Sequence, residues 1–407
     1  MASAPDVAIY IENLDGGGVQ AMALRTAREL VCRGRKVELL VGEAEGVLAA
    51  SVPPGVPITE LAVASRVAAA AEAFRGLHGA PLAALAAVLG GRDPETALRH
   101  LPALVRYLDR ATPRALTAAT PYRGLEALLA KRQARHRPRV VVSEHNDLRQ
   151  GHPMGEGRRR RRLVALQQHL YPTADAVVAV SCGVAEDVAA RSGLGRERIT
   201  VVYNPAVTPE IARLSQEPVA HPWFAGTGTP VVLAVGRLGA AKDFPMLIRA
   251  FARLRAGRPA RLVVLGKAKD ARRTEKRVAG YRALAAGLGV ADDVDFPGFA
   301  ANPFAWMARA SVLAVSSRHE GFCNVIAEAL ACGCPAVSTD CPSGPAEILD
   351  GGRYGRLVPV GDEAAMADAL GATLDGPPEA ATLRQRAQAF SLDRAVDRYE
   401  ELLFGGV

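Results

Sequence analysis

Aromatic residues make up only 5% of the 407-residue chain. That scarcity argues against a binder of single-stranded nucleic acid, whose bases need aromatic stacking platforms. No uninterrupted apolar stretch reaches the roughly 18 residues of a membrane-spanning helix. The first residues also lack the basic and apolar blocks of a secretion signal, so the expectation is a cytoplasmic protein, at most peripheral on the inner face of the cell membrane. Cysteine is sparse: Cys32, Cys182, Cys323, Cys332, Cys334 and Cys341 contain no C-x-x-C pair, and Cys332 and Cys334 are too close for a zinc clip. They read as reduced thiols packing like small hydrophobes. Lysine is scarcer than arginine, with six against 44.

What is present suits a globular chain. Hydrophobic residues reach 49% and charged residues 23%, enough for packed cores. At roughly 150 residues per domain the length predicts two or three domains, of which two is the better fit. The net charge of +8 favours anionic partners: phosphorylated metabolites, acidic membrane surfaces or nucleic acid.

Along the chain, an apolar run at Val7 to Ile11, a break at Asp15-Gly16-Gly17-Gly18, a helical pattern from Val19 to Cys32 and a second run at Lys36 to Val41 predict a strand–helix–strand unit over a parallel sheet. Alanine blurs the pattern from Ala62 to Arg137, with helices expected near Pro81 to Leu89 and Arg99 to Asp109. A buried-strand run, Arg139 to Ser143, ends at Glu144-His145-Asn146. Residues 206–229 lack a clean period and read as a linker between a domain over 1–205 and a second over 230–385. Alternating strands and helices from Val231 to Leu349 make that second domain another doubly wound parallel sheet. The fold class expected is therefore α/β, two tandem Rossmann-like domains facing across a cleft. Ligands of such sheets bind beyond the carboxyl ends of the strands, which makes that cleft the default active site.

Three clusters carry candidate chemistry. In Val235-Gly236-Arg237-Leu238-Gly239-Ala240-Ala241-Lys242-Asp243, Arg237 and Lys242 lie on a glycine-lined loop at a strand end, an arrangement suited to a diphosphate. Asp243 is placed to cap the next helix and Pro245 to open it. Further on, Glu320 and Glu328 are eight residues apart around a helix start. Gly321 lets the backbone approach a ligand there, and the first-turn amides form an anion site. A ligand with both phosphates and hydroxyls would use the amides and the carboxylates; the plain alternative is an amphipathic helix with surface glutamates. At the amino end, Gly16-x-Gly18-x-x-Ala21 formally fits a dinucleotide fingerprint and would mean an NAD-dependent oxidoreductase. Glu12 to Asp15 separate strand from glycine, however, so Gly17 and Gly18 read better as a phosphate-facing loop or a tight turn. His145 ends a buried strand and is usable near neutral pH at its ordinary pKa. Asp293-Val294-Asp295 reads as a polar turn rather than a metal motif. The run Arg158 to Arg162 suits anionic headgroups or a diphosphate-linked lipid, and equally a solvated helix start.

Taken in order, DGGGVQ, SEHN, VAVS at 178 to 181, VGRLGAAKDF and Glu320-Gly-Phe-Cys-Asn-Val-Ile-Ala-Glu328 resemble the retaining GT-B glycosyltransferases of family 4. The first loop departs from the family, carrying Val19-Gln20 where an acidic-basic pair is common. The resemblance implies that Arg237 and Lys242 hold a donor diphosphate and Glu328 the ribose hydroxyls. Glu320 and the backbone of Phe322, Cys323, Asn324 and Val325 would position the sugar and phosphate, with Gly17, Gly18, Gly236 and Gly321 allowing close approach and His145 facing the sugar. It implies a nucleoside-diphosphate sugar as co-substrate, a UDP-sugar above all, no cofactor or metal, and a glycan or lipid-linked acceptor with no nucleic acid. Residues 386–407 would form a helix crossing back to the first domain. Competing readings are a sugar-phosphate epimerase or phosphorylase, the latter disfavoured because few lysines are available for a pyridoxal cofactor, and a non-catalytic basic module docking on membranes or nucleic acid.

Overall fold

The computed structural model describes residues 4–80, 84, 86, 98–148, 157–225 and 228–405. The helix expected near Pro81 to Leu89 falls outside these residues except at Ala84 and Ala86. The chain forms two compact units, Met1–Pro205 with Leu392–Val407, and Ala206–Ser391.

The first unit is built on a seven-stranded parallel sheet. Its strands are β1 (Val7–Asn13), β2 (Val37–Glu43), β3 (Ile58–Glu60), β4 (Ala115–Ala119), β5 (Arg139–Glu144), β6 (Ala176–Ala179) and β7 (Ile199–Val201). They stand in the order β3-β2-β1-β4-β5-β6-β7. Strand addition reverses direction between β1 and β4, and at such a switch point the loops after neighbouring strands diverge and leave a crevice. β1 is buried on both faces from Val7 to Ile11, which explains its continuous apolar run. The helix Gly18–Cys32 starts from an extended Gly17 and buries Met22, Ala23, Leu24, Ala27 and Leu30; Gly34, at φ 82°, ends it.

Three elements in the alanine-rich stretch escaped the sequence reading, the first of them the helix Arg66–Gly76. β4, with the sequence ALTAA, is a central strand, and the helix Pro121–Gln133 behind it is buried from Pro121 to Ala130. Within that layer the Glu126 carboxylate accepts from the Tyr10 hydroxyl (2.6 Å), from the His100 amide (3.0 Å) and from Arg123 (2.5 Å).

The last helix, Leu392–Phe404, packs in this first unit. It buries Leu392, Ala395, Val396, Tyr399 and Leu403 against the core around Val7, Ile9 and Val141. Arg33 and Arg35 both reach its Glu400, at 3.0 and 2.7 Å. Burial would raise the Glu400 carboxyl, but hydrogen bonds from Arg35 and Arg33 outweigh it and hold the group below its ordinary value. Its stabilising contribution is therefore complete above the unfolded carboxyl's pKa and fades as pH falls through the lowered native one. Glu400→Ala should lower stability at neutral pH by about 1 kcal/mol. The loss should shrink in acid, and urea unfolding at two pH values will show it.

The second unit carries a six-stranded parallel sheet. Its strands are β8 (Val231–Val235), β9 (Arg261–Leu265), β10 (Val294–Gly298), β11 (Val312–Val315), β12 (Ala336–Thr339) and β13 (Arg356–Val358), in the order β10-β9-β8-β11-β12-β13. Its switch point lies between β8 and β11. The stretch read as a linker is folded onto this unit. It contains the short helix Glu210–Leu214, and Arg309 donates to the carbonyls of Ser215 and Gln216 at 3.1 and 3.2 Å. The rings of His221 and Phe224 meet Trp306 with centroids 5.5 and 5.2 Å apart. The two aspartates passed over as metal ligands have structural partners, Asp293 with Arg255 and Arg261, and Asp295 with His221.

Candidate active site

The loops after β8 and β11 leave the sheet side by side because those strands are neighbours. The first loop carries Gly236, Arg237 and Lys242, and the second carries Ser316, Ser317, Arg318 and Glu320. Lys242 Nζ lies 2.5 Å from Glu320 Oε1, so two of the predicted residues, 78 apart in sequence, meet directly. Ser317 donates to the same carboxylate oxygen at 2.6 Å, and the Ser316 hydroxyl donates to the Lys242 carbonyl at 2.7 Å. Both charged side chains are mostly covered, Lys242 being 24% and Glu320 12% exposed. Burial opposes the Lys242 charge, but the Glu320 carboxylate outweighs it and raises the ammonium above its ordinary pKa. Lys242 thus stays protonated throughout any working range. Arg237 stands exposed on the same loop, with no side-chain partner among the described residues.

Asp243 adopts the left-handed conformation (φ 43°) and caps the helix Phe244–Gly257, accepting from the Met246 amide. Its other oxygen takes a 2.6 Å bond from Arg318, which also ties the second loop to the first through its amide and the Ala241 carbonyl (2.7 Å). Arg318, Ser316 and Ser317 were missed by the sequence reading. The signal available was their place between a strand end and the Glu320 motif.

The helix Asn324–Cys332 follows. Its N-cap, Cys323, has φ 76° and ψ 62°, a strained backbone for a residue with a side chain. No side chain caps this end and no acidic residue sits in the first turn. The Lys242 ammonium is close enough to Cys323 to interact with it electrostatically, so the start of this helix lies near that cation. Glu328 is half-buried one turn further along. The loop after β12 closes on the same turn: a Cβ on Gly344 would stand 2.0 Å from the Phe322 carbonyl oxygen. Burial, reinforced by Glu320, pushes the Cys323 and Cys341 thiols up, the latter to about 12, which keeps them neutral. Farther along the strand ends, Leu265, Gly298, Phe299, Asn302 and Trp306 line a cavity of about 230 Å³. Lys267 Nζ stands 4.7 Å from the centroid of the Phe299 ring.

In the first unit, Gly17 is the N-cap of its helix and Gly18 the first helical residue, while Gln20 turns back to bond Asn13 at 3.2 Å. His145 follows β5. Its neighbour Glu144 is turned into the protein, where Arg191 (2.8 Å), Gln167 (3.1 Å) and Tyr171 all bond it. Burial lowers the His145 pKa to about 4. At neutral pH the ring is therefore in its neutral form, able to give and to accept a hydrogen bond. Between the unfolded value near 6.5 and the native value near 4, the unfolded chain binds the extra proton. Stability should thus rise with pH across that window. Urea midpoints at about pH 4.5 and about pH 7 should differ less in His145→Gln than in the parent chain.

The structure is a two-unit α/β protein whose second sheet brings Lys242, Glu320 and the loops that carry them together at its strand ends. Residues 229–375 match the family described as glycosyl transferases group 1, and residues 16–208 match Glycosyltransferase Family 4. The chain belongs to this family of glycosyltransferases. It is 31% identical over 246 residues to the lipopolysaccharide core biosynthesis glycosyltransferase LpsE of Rhizobium meliloti, covering 57% of this chain and 67% of that protein. It is 33% identical over 208 residues to the N-acetylgalactosamine-N,N'-diacetylbacillosaminyl-diphospho-undecaprenol 4-alpha-N-acetylgalactosaminyltransferase of Campylobacter jejuni, covering 51% of this chain and 52% of that protein. The match thus spans about half the length of the Campylobacter relative. The fold is that of Anabaena HepE, solved in complex with UDP, with a TM-score of 0.73 at 19% identity over 98% of this chain and 99% of that one. Among the described residues no helix is long and apolar enough to cross a membrane.

Proposed function

We propose that this chain transfers a hexosyl or N-acetylhexosaminyl group from a nucleoside-diphosphate sugar, a UDP-sugar above all, to a glycan or lipid-linked acceptor, with retention at the anomeric carbon and without a metal. The observation that carries the reading is the 2.5 Å Lys242–Glu320 contact beside the acid-free start of the helix Asn324–Cys332, with Arg237 exposed on the same loop. Arg237, Lys242 and the first-turn amides meet the charge that develops on the departing diphosphate. Glu320 and Glu328 accept from sugar hydroxyls, and the cavity beside Phe299 holds the nucleoside. The acceptor oxygen bonds the anomeric carbon on the face the diphosphate leaves, and a diphosphate oxygen takes the acceptor's proton. His145 serves the transferred sugar. Arg158 to Arg162 support peripheral contact with an anionic membrane, which sedimentation with anionic against neutral vesicles tests.

The direct experiment measures nucleoside-diphosphate release across UDP- and GDP-linked sugars, with and without EDTA, and reads the product's anomeric configuration by NMR. Release from none of these donors would refute the activity, and an inverted product or inhibition by EDTA would refute the mechanism. Arg237→Ala and Glu320→Gln, assayed alongside, should each cut release at least about tenfold; parental rates in both would discard the residue roles.

A further inference from the structure

The ring of His145 is held by a chain of hydroxyls that begins on the last helix of the protein. Ser143 lies in β5 and His145 follows the strand, and the two side chains meet. The Ser143 hydroxyl lies 3.0 Å from His145 Nε2 and 3.0 Å from the Tyr399 hydroxyl. Tyr399 comes from the helix Leu392–Phe404, whose apolar face seats it over the strand ends. Tyr399 and Ser143 are both buried.

The protons in this chain can be counted. A phenol in a dry site must place its one proton on an acceptor. Among the described residues the acceptor within reach of Tyr399 is Ser143 Oγ. Ser143 therefore accepts from Tyr399 and has its own proton to give, and its other partner is His145 Nε2. That nitrogen must be the lone-pair nitrogen of a neutral ring, and the proton sits on Nδ1. The opposite direction, with Nε2–H donating to Ser143 and Ser143 to Tyr399, leaves the phenol proton with no acceptor. The depressed His145 pKa agrees with a ring kept neutral. Nδ1 has no partner among the described residues, so it is the nitrogen left to meet a ligand.

We propose that Tyr399, acting through Ser143, fixes His145 as its Nδ1–H tautomer, so that the ring meets the transferred sugar as a hydrogen-bond donor to a hydroxyl oxygen. Tyr399 and Ser143 are thus positioning residues for the His145 ring. The ligand part of this inference rests on the reading of His145 given under the proposed function, while the tautomer does not.

The test uses the full chain labelled with ¹⁵N at histidine, with the His145 resonances assigned by their loss in His145→Gln. Long-range ¹H–¹⁵N spectra of the parent chain should show a protonated Nδ1 and an unprotonated Nε2. Ser143→Ala and Tyr399→Phe should shift the ring toward the Nε2–H form that free histidine side chains favour. Turnover should fall about tenfold in Ser143→Ala and about threefold or more in Tyr399→Phe, on the scale of one misdirected hydrogen bond. The donor KM should change less than kcat, and circular dichroism should confirm that both variants fold. A parent ring protonated on Nε2, or an unchanged Nδ1–H form in both variants, overturns the proposal. Parental turnover in His145→Gln would instead overturn the role of His145 toward the sugar and leave the tautomer assignment standing.

Discussion

Lys242→Met should lower turnover at least about 100-fold while leaving the fold nearly as stable as before. The ammonium does two things at once. It lies 2.5 Å from Glu320, and on the proposed function it supplies fixed positive charge where a diphosphate would depart. A preorganised charge of this kind is worth about 10²- to 10³-fold in rate, because it stabilises the transition state without further reorganisation. Methionine keeps the slender stem that passes Gly236, where an added Cβ would approach Lys242 Cε to 3.2 Å, and removes only the charge. The stability cost stays near 1 kcal/mol, since both partners keep some solvent contact and Ser317 still donates to Glu320. Arginine at this position should not restore the rate, because its planar head is too broad for a path shaped to a lysine stem. A second change, Glu320→Gln on top of Lys242→Met, removes a carboxylate left facing the diphosphate; it should recover part of the donor KM and none of the turnover. Steady-state release of the nucleoside diphosphate checks all of these, and a Lys242→Met rate within tenfold of the parent would remove Lys242 from the diphosphate.

Gly344→Ala is the second large effect, and its cause is steric. Gly344 has φ 92° and ψ −64°, a conformation that side chains rarely adopt. Its missing Cβ would also stand 2.0 Å from the Phe322 carbonyl oxygen and 2.6 Å from the Phe322 Cα. Those are backbone atoms immediately ahead of Cys323, so the contact cannot be relieved by turning a side chain. The loop after β12 or the start of the helix Asn324–Cys332 must move, and with it the amides proposed to receive the phosphate. A loss of about 3 kcal/mol or more is expected, or roughly 6 °C in melting midpoint, together with turnover. Gly351→Ala is the control: its φ of 63° is also positive, but its Cβ would meet nothing within 4 Å. It should cost only the strain of the left-handed conformation, about 1 kcal/mol. Equal melting midpoints for the two variants would refute the clash.

Much of the fold was legible in the sequence, and the reasons are local. Strands such as Val7–Asn13 and Val231–Val235 are continuous apolar runs because both faces of a parallel sheet are covered, and glycine or an N-capping aspartate marks where helices begin. The helix Asn324–Cys332 ends at Gly333, whose φ of 79° stops it. β4 could not be read this way. Alanine has no strand preference, and the ALTAA segment is a strand only because β1 and β5 bond it from either side.

The candidate site divides along the same line. Arg237, Lys242, Glu320, Glu328 and His145 were named from residue type and place alone. Which of them meet was decided by strand order, since β8 and β11 are neighbours only because the sheet reverses direction between them. That order puts Lys242 on Glu320, while the turn of β5 sends Glu144 inward to Arg191 and leaves His145 to Ser143 and Tyr399. Sequence periodicity reports which face of an element is buried, a property of a few adjacent residues. The partners of a charge or a hydroxyl 78 or 256 positions away are set by how whole layers pack, and only the tertiary structure decides that.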